Sequence, residues 1–355
     1  MKALVLKEPS RFSYEEVPEA VPAVGEVLVR VRACGICGSD VHGMDGSTGR
    51  RIPPVVMGHE AAGEIVALGA GDGSPSGTGS ADGTRGARVG DRVTFDSTIY
   101  CGTCWHCRRG EINLCDNRRV LGVSCREYRR DGAFAEYVAV PRHILYRLPD
   151  GIGFPQAAMA EAVSIAVHAV HRLPRILGDS VLVVGTGIIG LLVVQVLRAA
   201  GYGRIIAADV APERLEMALK LGADEALDPR DAGFGSRLLD LTSGRGADAA
   251  VEVVGNASAF RTAIEGVRKG ATVALIGNVS PQVEMPLQAV VTREISVNGS
   301  CASRGEYPAA IDLIAGGRID VNSLISAAAP LSEGVDWFRR LYAREKGLVK
   351  VILVP

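Results

Sequence analysis

Residues 181–209 read VLVVGTGIIGLLVVQVLRAAGYGRIIAAD, and no other stretch restricts the fold as tightly. A β-branched apolar run leads into Gly185, Gly187 and Gly190, which fit G-x-G-x-x-G with Ile188 and Ile189 between the last two. An apolar helical pattern continues to about Ala200, Gly201 and Gly203 break it, and a second strand-like run ends on Asp209. This is the order of a dinucleotide-binding strand–helix–strand unit. The first glycine permits a tight turn, the second lets backbone approach a pyrophosphate, and the third lets helix and strand pack closely. The helix N-terminus offers N–H groups and a positive dipole end to phosphates. Asp209 can accept from the ribose hydroxyls and repels a 2′-phosphate, which selects NAD. Arg214, five residues on, is the nearby cation an NADP phosphate would use.

With 43 Gly in 355 residues, about one chance match to three spaced glycines is expected, so context must decide. Gly244-x-Gly246-x-x-Ala249 nearly matches but precedes a strand-like run instead of following one. The chain is long enough for two domains and a large core. A formal net charge of −1 with 22% charged residues gives no general attraction to nucleic acid or anionic membrane. No apolar run approaches the ~20 residues of a membrane span. The first residues, MKALVLKEPS, hold no apolar segment of signal-peptide length. A cytoplasmic protein is therefore expected.

Short alternating runs at 2–6, 27–33 and 62–68, separated by Pro and Gly turns, make residues 1–66 an all-β region. Residues 70–88 are low-complexity Gly/Ser/Ala/Asp and read as a surface loop. Residues 153–177 look helical. From 181 to about 276, strand-like runs (VLVV, RIIAAD, AAVEVV, TVALIG) alternate with helical segments such as 212–221 and 260–267, which predicts a doubly wound parallel sheet. Mixed short elements follow, with a last strand at 348–354.

Eight cysteines in such a chain are a poor disulfide framework. Four of them form CGTCWHCRRGEINLC, so that Cys101, Cys104, Cys107 and Cys115 follow C-x2-C-x2-C-x7-C. Two-residue gaps let thiolates converge on one ion, and four thiolates make a closed, structural zinc site. His106, inside the loop, is then a bystander. A catalytic zinc instead needs three protein ligands and an open place. The candidates are Cys37 in CGICGSDVHG, His59 and Glu60 in GHEAAGEIVALG, and Glu161 in AMAEAVSIAVHAVHRL. Cys34 and Cys37 form a C-x-x-C pair, and either suits as the thiolate. Glu161 is an acid on a stretch otherwise apolar enough to be buried, where a lone carboxylate is costly without a partner. Ser39 and His42, beside Cys37, suit a hydroxyl-to-imidazole route carrying an alcohol proton to solvent. His168 and His171 read as packing or surface histidines.

Together, CGICGSDVHG, GHEAAGEIVALG, the four-cysteine lobe, AEAVSIAVHA and VLVVGTGIIG resemble the zinc-dependent medium-chain alcohol dehydrogenases over essentially the whole chain. Within them, the likeness is to the polyol (sorbitol-like) branch, which includes threonine and butanediol dehydrogenases. The resemblance implies an α/β architecture: a GroES-like β-rich catalytic domain over 1–152, with its zinc lobe at 101–115, and a Rossmann coenzyme domain over 153–290. Residues 291–355 would complete both. It implies that Cys37, not Cys34, is the ligand, with His59 beside it, Ser39 in the relay, and Glu161 where the classical enzymes carry a Cys. Glu60 would bind directly, through water, or in exchange with Glu161. In the polyol branch that Glu is commonly followed by Pro-Leu-Ser, whereas this chain has Ala162-Val163-Ser164.

The expected activity is oxidation of a secondary alcohol of a polyol to a ketone with NAD and two zinc ions per chain. L-threonine, 2,3-butanediol or a simple alcohol are alternative substrates. A catalytically silent binding protein on this fold would break the metal set, yet Cys37, His59, Glu60 and Glu161 are all present. A homodimer or homotetramer is expected, with residues 290–299 supplying an edge strand.

Overall fold

The computed structural model describes residues 1–70, 86–124, 129–174 and 178–355. Most of the Gly/Ser-rich stretch expected to form a surface loop, residues 71–85, lies outside the described residues, as do 175–177 at the end of the expected helical region. The chain forms two compact units. One comprises Met1–Glu161, Tyr307–Gly316 and Val321–Pro355; the other comprises Ala162–Glu306 and Gly317–Asp320.

The first unit is β-rich. Glu26–Gly35 (EVLVRVRACG) alternates apolar and polar residues and buries its apolar set, the pattern of a strand with one covered face. It is the hub of the largest sheet, ordered Leu145–Arg147, Arg92–Phe95, Glu60–Leu68, Glu26–Gly35, Lys350–Val354, Ile325–Pro330, with Tyr137–Pro141 also paired to the hub. Lys2–Glu8, Arg11–Glu16 and Val55–Val56 form a small second sheet. Leu4, Leu6, Phe95, Phe134 and Phe338 fill the core, and the Phe134 and Phe338 rings meet edge to face at 5.7 Å. The unit runs past residue 152 because the helix Phe154–Ala158 packs on the strands Glu26–Gly35 and Glu60–Leu68. That short helix and Ala160–His171 stand where one helical stretch was expected.

Register in this sheet matters for chemistry. Gly35 lies opposite Glu60 on one side and opposite Ile352 on the other. The end of the hub strand is thus brought beside Glu60 and the C-terminal strand, and Cys37 follows two residues later.

Among the described residues of the second unit, six strands form one parallel sheet. The order is Glu225–Leu227, Arg204–Ala208, Ser180–Val184, Ala247–Glu252, Val267–Leu275, Ser296–Gly299. Starting from Ser180–Val184, two strands run to one side and three to the other, the doubly wound arrangement with its crevice at the point of reversal. Val181–Val184 is wholly buried, as a near-continuous apolar run requires of a central parallel strand. One expectation needs correcting. Of residues 290–299, the first three belong to the helix Leu287–Thr292 and only Ser296–Gly299 is the edge strand. Val290 and Val291 have strand propensity, but they lie before the turn at Arg293 and Glu294 that separates helix from strand.

Candidate active site and metal centres

Four thiols converge in the loop between the paired strands Thr98–Ile99 and Arg119–Val120. The Sγ atoms of Cys101, Cys104, Cys107 and Cys115 all lie within 4.8 Å of one another, with Cys101 and Cys107 at 4.0 Å. Zinc–sulfur bonds of about 2.3 Å in a tetrahedron place sulfurs about 3.8 Å apart, so the set fits a closed zinc site. Backbone amides already point at the sulfurs: Cys104 N donates to Cys101 Sγ at 3.4 Å, Cys107 N to Cys104 Sγ at 3.5 Å, and Cys101 N to Cys115 Sγ at 3.2 Å. Burial opposes ionisation of Cys101, but donors from Thr103, Asn117 and Cys104 outweigh it and hold the thiol down at about 5. His106 Nδ1 sits 3.0 Å from Glu111 Oε2, which ties the ring to that acid.

The second cluster is chemically mixed. Cys37, His59 and Glu60 bring a thiol, an imidazole and a carboxylate within 4.8 Å. Cys37 is the N-cap of the helix Gly38–Gly43. Asp40 Oδ2 accepts from Cys37 N at 3.4 Å, while Ser39 N and Ser39 Oγ donate to the Cys37 sulfur at 3.5 and 3.3 Å. Gly35 makes room for the acid, since a Cβ there would stand 2.2 Å from Glu60 Oε2. Cys34, one strand residue earlier, is fully buried, and burial pushes its thiol well up. Sulfur access therefore favours Cys37 of the C-x-x-C pair.

Asp40 and Lys350 organise the acids and bases behind this cluster. Burial would raise the Asp40 carboxyl, but His59 and Arg51 hold it well below the usual range. Arg51 Nη2 donates to Asp40 Oδ1 at 2.7 Å. His59 Nδ1 stands 3.5 Å from the same oxygen, too poorly aligned for a full hydrogen bond. Burial would lower the His59 imidazole, but the Asp40 and Cys37 charges outweigh it and hold it well above its ordinary value. Lys350 Nζ donates to both Glu60 carboxylate oxygens, at 2.8 and 2.5 Å, and to Ile36 O at 3.1 Å; lysine and glutamate are each 1% exposed. Glu161 is buried in the same unit but falls outside the Cys37–His59–Glu60 cluster. Burial, reinforced by Glu60 and Asp96, raises its carboxyl to about 7 against the pull of His59 and Lys350. Ser39 is exposed, and His42 stands exposed on the same short helix.

In the second unit the glycine turn forms as its spacing requires. Gly187 is the N-cap of Ile188–Ala199, and no side chain caps that helix. A Cβ on Gly190 would lie 1.9 Å from the Gly185 carbonyl oxygen, whereas one on Gly187 would meet nothing within 4 Å. Gly190 is fixed by the protein's own packing. At Gly187 the backbone is bare, with uncapped amides beside it, which fits a pyrophosphate. Asp209 closes the turn: Oδ2 accepts from Thr186 N at 2.7 Å and Oδ1 from Ala211 N at 3.0 Å. Arg214 Nη1 is 3.9 Å from Asp209 Oδ2. In the same unit, His168 and His171 both turn Nδ1 toward Glu306 Oε1, at 2.8 and 3.4 Å.

Residues 23–150 match the alcohol dehydrogenase GroES-like domain and residues 189–316 the zinc-binding dehydrogenase domain. Sorbitol dehydrogenase of Bacillus subtilis (strain 168) is 33% identical over 100% of this chain and 97% of its own. The chain belongs to the zinc-dependent alcohol dehydrogenase family. L-threonine 3-dehydrogenase of Saccharopolyspora erythraea is 32% identical over 99% of this dehydrogenase and 98% of its own chain. A solved alcohol dehydrogenase from E. coli CFT073, complexed with NADH, superposes with a TM-score of 0.88 at 31% identity, covering 100% of this chain and 99% of that one. In this dehydrogenase, sequence patterns pointed to the metal-capable residues but missed Asp40, Arg51, Lys350 and Thr186. Lys350 left one trace, a cation opening the apolar run KVILV.

Proposed function

We propose that this dehydrogenase oxidises a secondary alcohol of a polyol to a ketone, with NAD as hydride acceptor and two zinc ions per chain. One observation carries the reading: thiol, imidazole and carboxylate donors from Cys37, His59 and Glu60 converge within 4.8 Å, alongside a separate four-thiol set. The full-length likeness to a sorbitol dehydrogenase supports the substrate class. A zinc ion held by Cys37, His59 and an acid would supply Lewis-acid polarisation of an alcohol oxygen. With Nδ1 turned to Asp40, His59 Nε2 is the nitrogen left for it. Glu60 is the acid whose oxygen converges with the other two donors, with Glu161 as its alternate. Ser39 takes the alcohol proton and His42 passes it to solvent. Gly185, Gly187, Ile188, Ile189 and Gly190 carry the pyrophosphate. Asp209 accepts from the ribose and disfavours NADP, with Arg214 the cation an NADP phosphate would use. The lobe of Cys101, Cys104, Cys107 and Cys115 is structural. L-threonine is the second substrate reading, favoured by the likeness to a threonine dehydrogenase.

Among the described residues no helix is long and apolar enough to cross a membrane. The described cysteines are free, and four converge as a metal set, which supports a reducing, cytoplasmic setting. The edge strand Ser296–Gly299 and the exposed Leu287 and Val291 support pairing with a second copy as a homodimer or homotetramer.

The test is metal content per chain together with turnover of polyols, threonine, butanediol and ethanol with NAD and with NADP. Two zincs, polyol-dependent NADH formation and a preference for NAD are expected. Cys37→Ser should abolish turnover while NAD binding stays near normal. One zinc and no turnover on any alcohol would overturn the reading.

A further inference from the structure

Arg51 is an arginine buried to 4% exposure that no motif predicts, and it stands directly behind the mixed metal cluster. Its Nη2 donates to Asp40 Oδ1 at 2.7 Å, with Nε at 3.3 Å from the same oxygen. The same Nη2 reaches Ser39 Oγ at 3.4 Å. Each of these partners touches a proposed ligand. Asp40 holds the backbone of Cys37 at 3.4 Å and faces His59 Nδ1 at 3.5 Å, while Ser39 Oγ donates to the Cys37 sulfur at 3.3 Å. One guanidinium therefore stands behind two of the contacts that hold Cys37 and behind the carboxylate that His59 Nδ1 faces. We propose that Arg51 is a positioning residue that sets Cys37 and His59 jointly, so that the catalytic zinc is held by a preorganised pair. The proposal rests on the reading of Cys37 and His59 as zinc ligands.

A planar fork suits this task better than a point charge. Lysine at this place keeps a cation for Asp40 but cannot hold the carboxylate and the Ser39 hydroxyl in one fixed geometry. Loss of an outer contact to a metal ligand typically costs 10–100-fold in metal affinity. Because Arg51 acts through Ser39 and Asp40, removing Ser39 after Arg51 should add less than it does alone.

The experiment compares the parent, Arg51→Lys, Ser39→Ala and the double variant. The readouts are zinc release to a colorimetric chelator, the cobalt(II)-substituted absorption spectrum and melting temperature. The spectrum separates a one-thiolate site from a four-thiolate site. Arg51→Lys should release the one-thiolate metal at least 10-fold faster and shift its cobalt–thiolate band, with the four-thiolate metal unaffected. The double variant should fall short of the product of the single effects. Unchanged release and spectrum in Arg51→Lys, whatever its melting temperature, or strictly multiplicative effects would overturn the proposal. Arg51→Gln, which keeps a donor for Asp40, replaces Arg51→Lys if the latter does not fold; failure of both would show a purely structural role. A parent that binds only the four-thiolate metal would overturn the ligand reading, and the proposal with it.

Discussion

At the scale of single residues, the least ordinary feature is a lysine and a glutamate buried together at 1% exposure each. Glu60 faces two cations in turn, Lys350 in the structure and the proposed zinc. Burying both charges is unfavourable unless each compensates the other, and removing one partner of such a pair typically costs about 3–5 kcal/mol. Lys350→Met should destabilise by that amount, because Glu60 is left buried without its counter-charge. Lys350→Met with Glu60→Gln should recover most of the loss, since no net charge then stays buried. Zinc would partly replace the lysine as counter-ion, so the thermal shift on adding zinc should be larger for Lys350→Met than for the parent. Calorimetry of the three proteins with and without zinc decides it; equal zinc shifts would mean Glu60 does not face the ion. The sequence marks Cys37, His59 and Glu60 because thiolate, imidazole and carboxylate are scarce types at telling spacings. It hides Lys350, which reaches Glu60 across 290 residues, and Arg51, which reaches Asp40 across 11. A positive charge far along the chain has no periodicity that names its partner; only strand register brings them together.

At the scale of elements, the glycine turn can be dissected by two substitutions that look alike in sequence. Gly190→Ala forces a methyl to 1.9 Å from the Gly185 carbonyl oxygen, and that atom is backbone. Helix Ile188–Ala199 must move off the strand, an overpacking cost of about 1–3 kcal/mol or more, so stability and coenzyme binding should fall together. Gly187→Ala meets no protein atom within 4 Å at a φ of −67°, which alanine adopts freely. Its melting temperature should match the parent's while NAD affinity drops, because the methyl occupies space only a bound pyrophosphate needs. Isothermal titration with NAD beside a melting curve separates the two. If Gly187→Ala binds NAD as the parent does, the pyrophosphate does not lie there. Elements of this kind were readable beforehand because strand, turn and helix occur in one local run. The edge strand is shorter than the run 290–299, and the sequence does not show this because the six-residue helix Leu287–Thr292 carries no buried residue, and hence no apolar stripe to betray its period.

At the scale of the molecule, the four-thiolate lobe is an element without a core of its own. Between residues 101 and 115 only Cys107, Asn113 and Cys115 are buried, while Trp105 and Leu114 are exposed at 62% and 45%. Two of its three buried side chains are thus the thiols themselves, so the proposed ion takes the place that apolar packing holds elsewhere. The Trp105 ring with Arg109 over it at 4.5 Å, and His106 with Glu111, dress the surface but bury little. Removing one thiolate by Cys104→Ser should therefore loosen the lobe and lower the stability of the unit that carries it. Even a net loss of about 2–3 kcal/mol lowers the melting temperature by about 5–10 °C in a domain of this size. No lobe sulfur belongs to the Cys37–His59–Glu60 cluster, so turnover per folded chain, measured well below that midpoint, should stay within about twofold of the parent. Selective loss of turnover at an unchanged melting temperature would contradict a structural role and place the lobe in the chemistry.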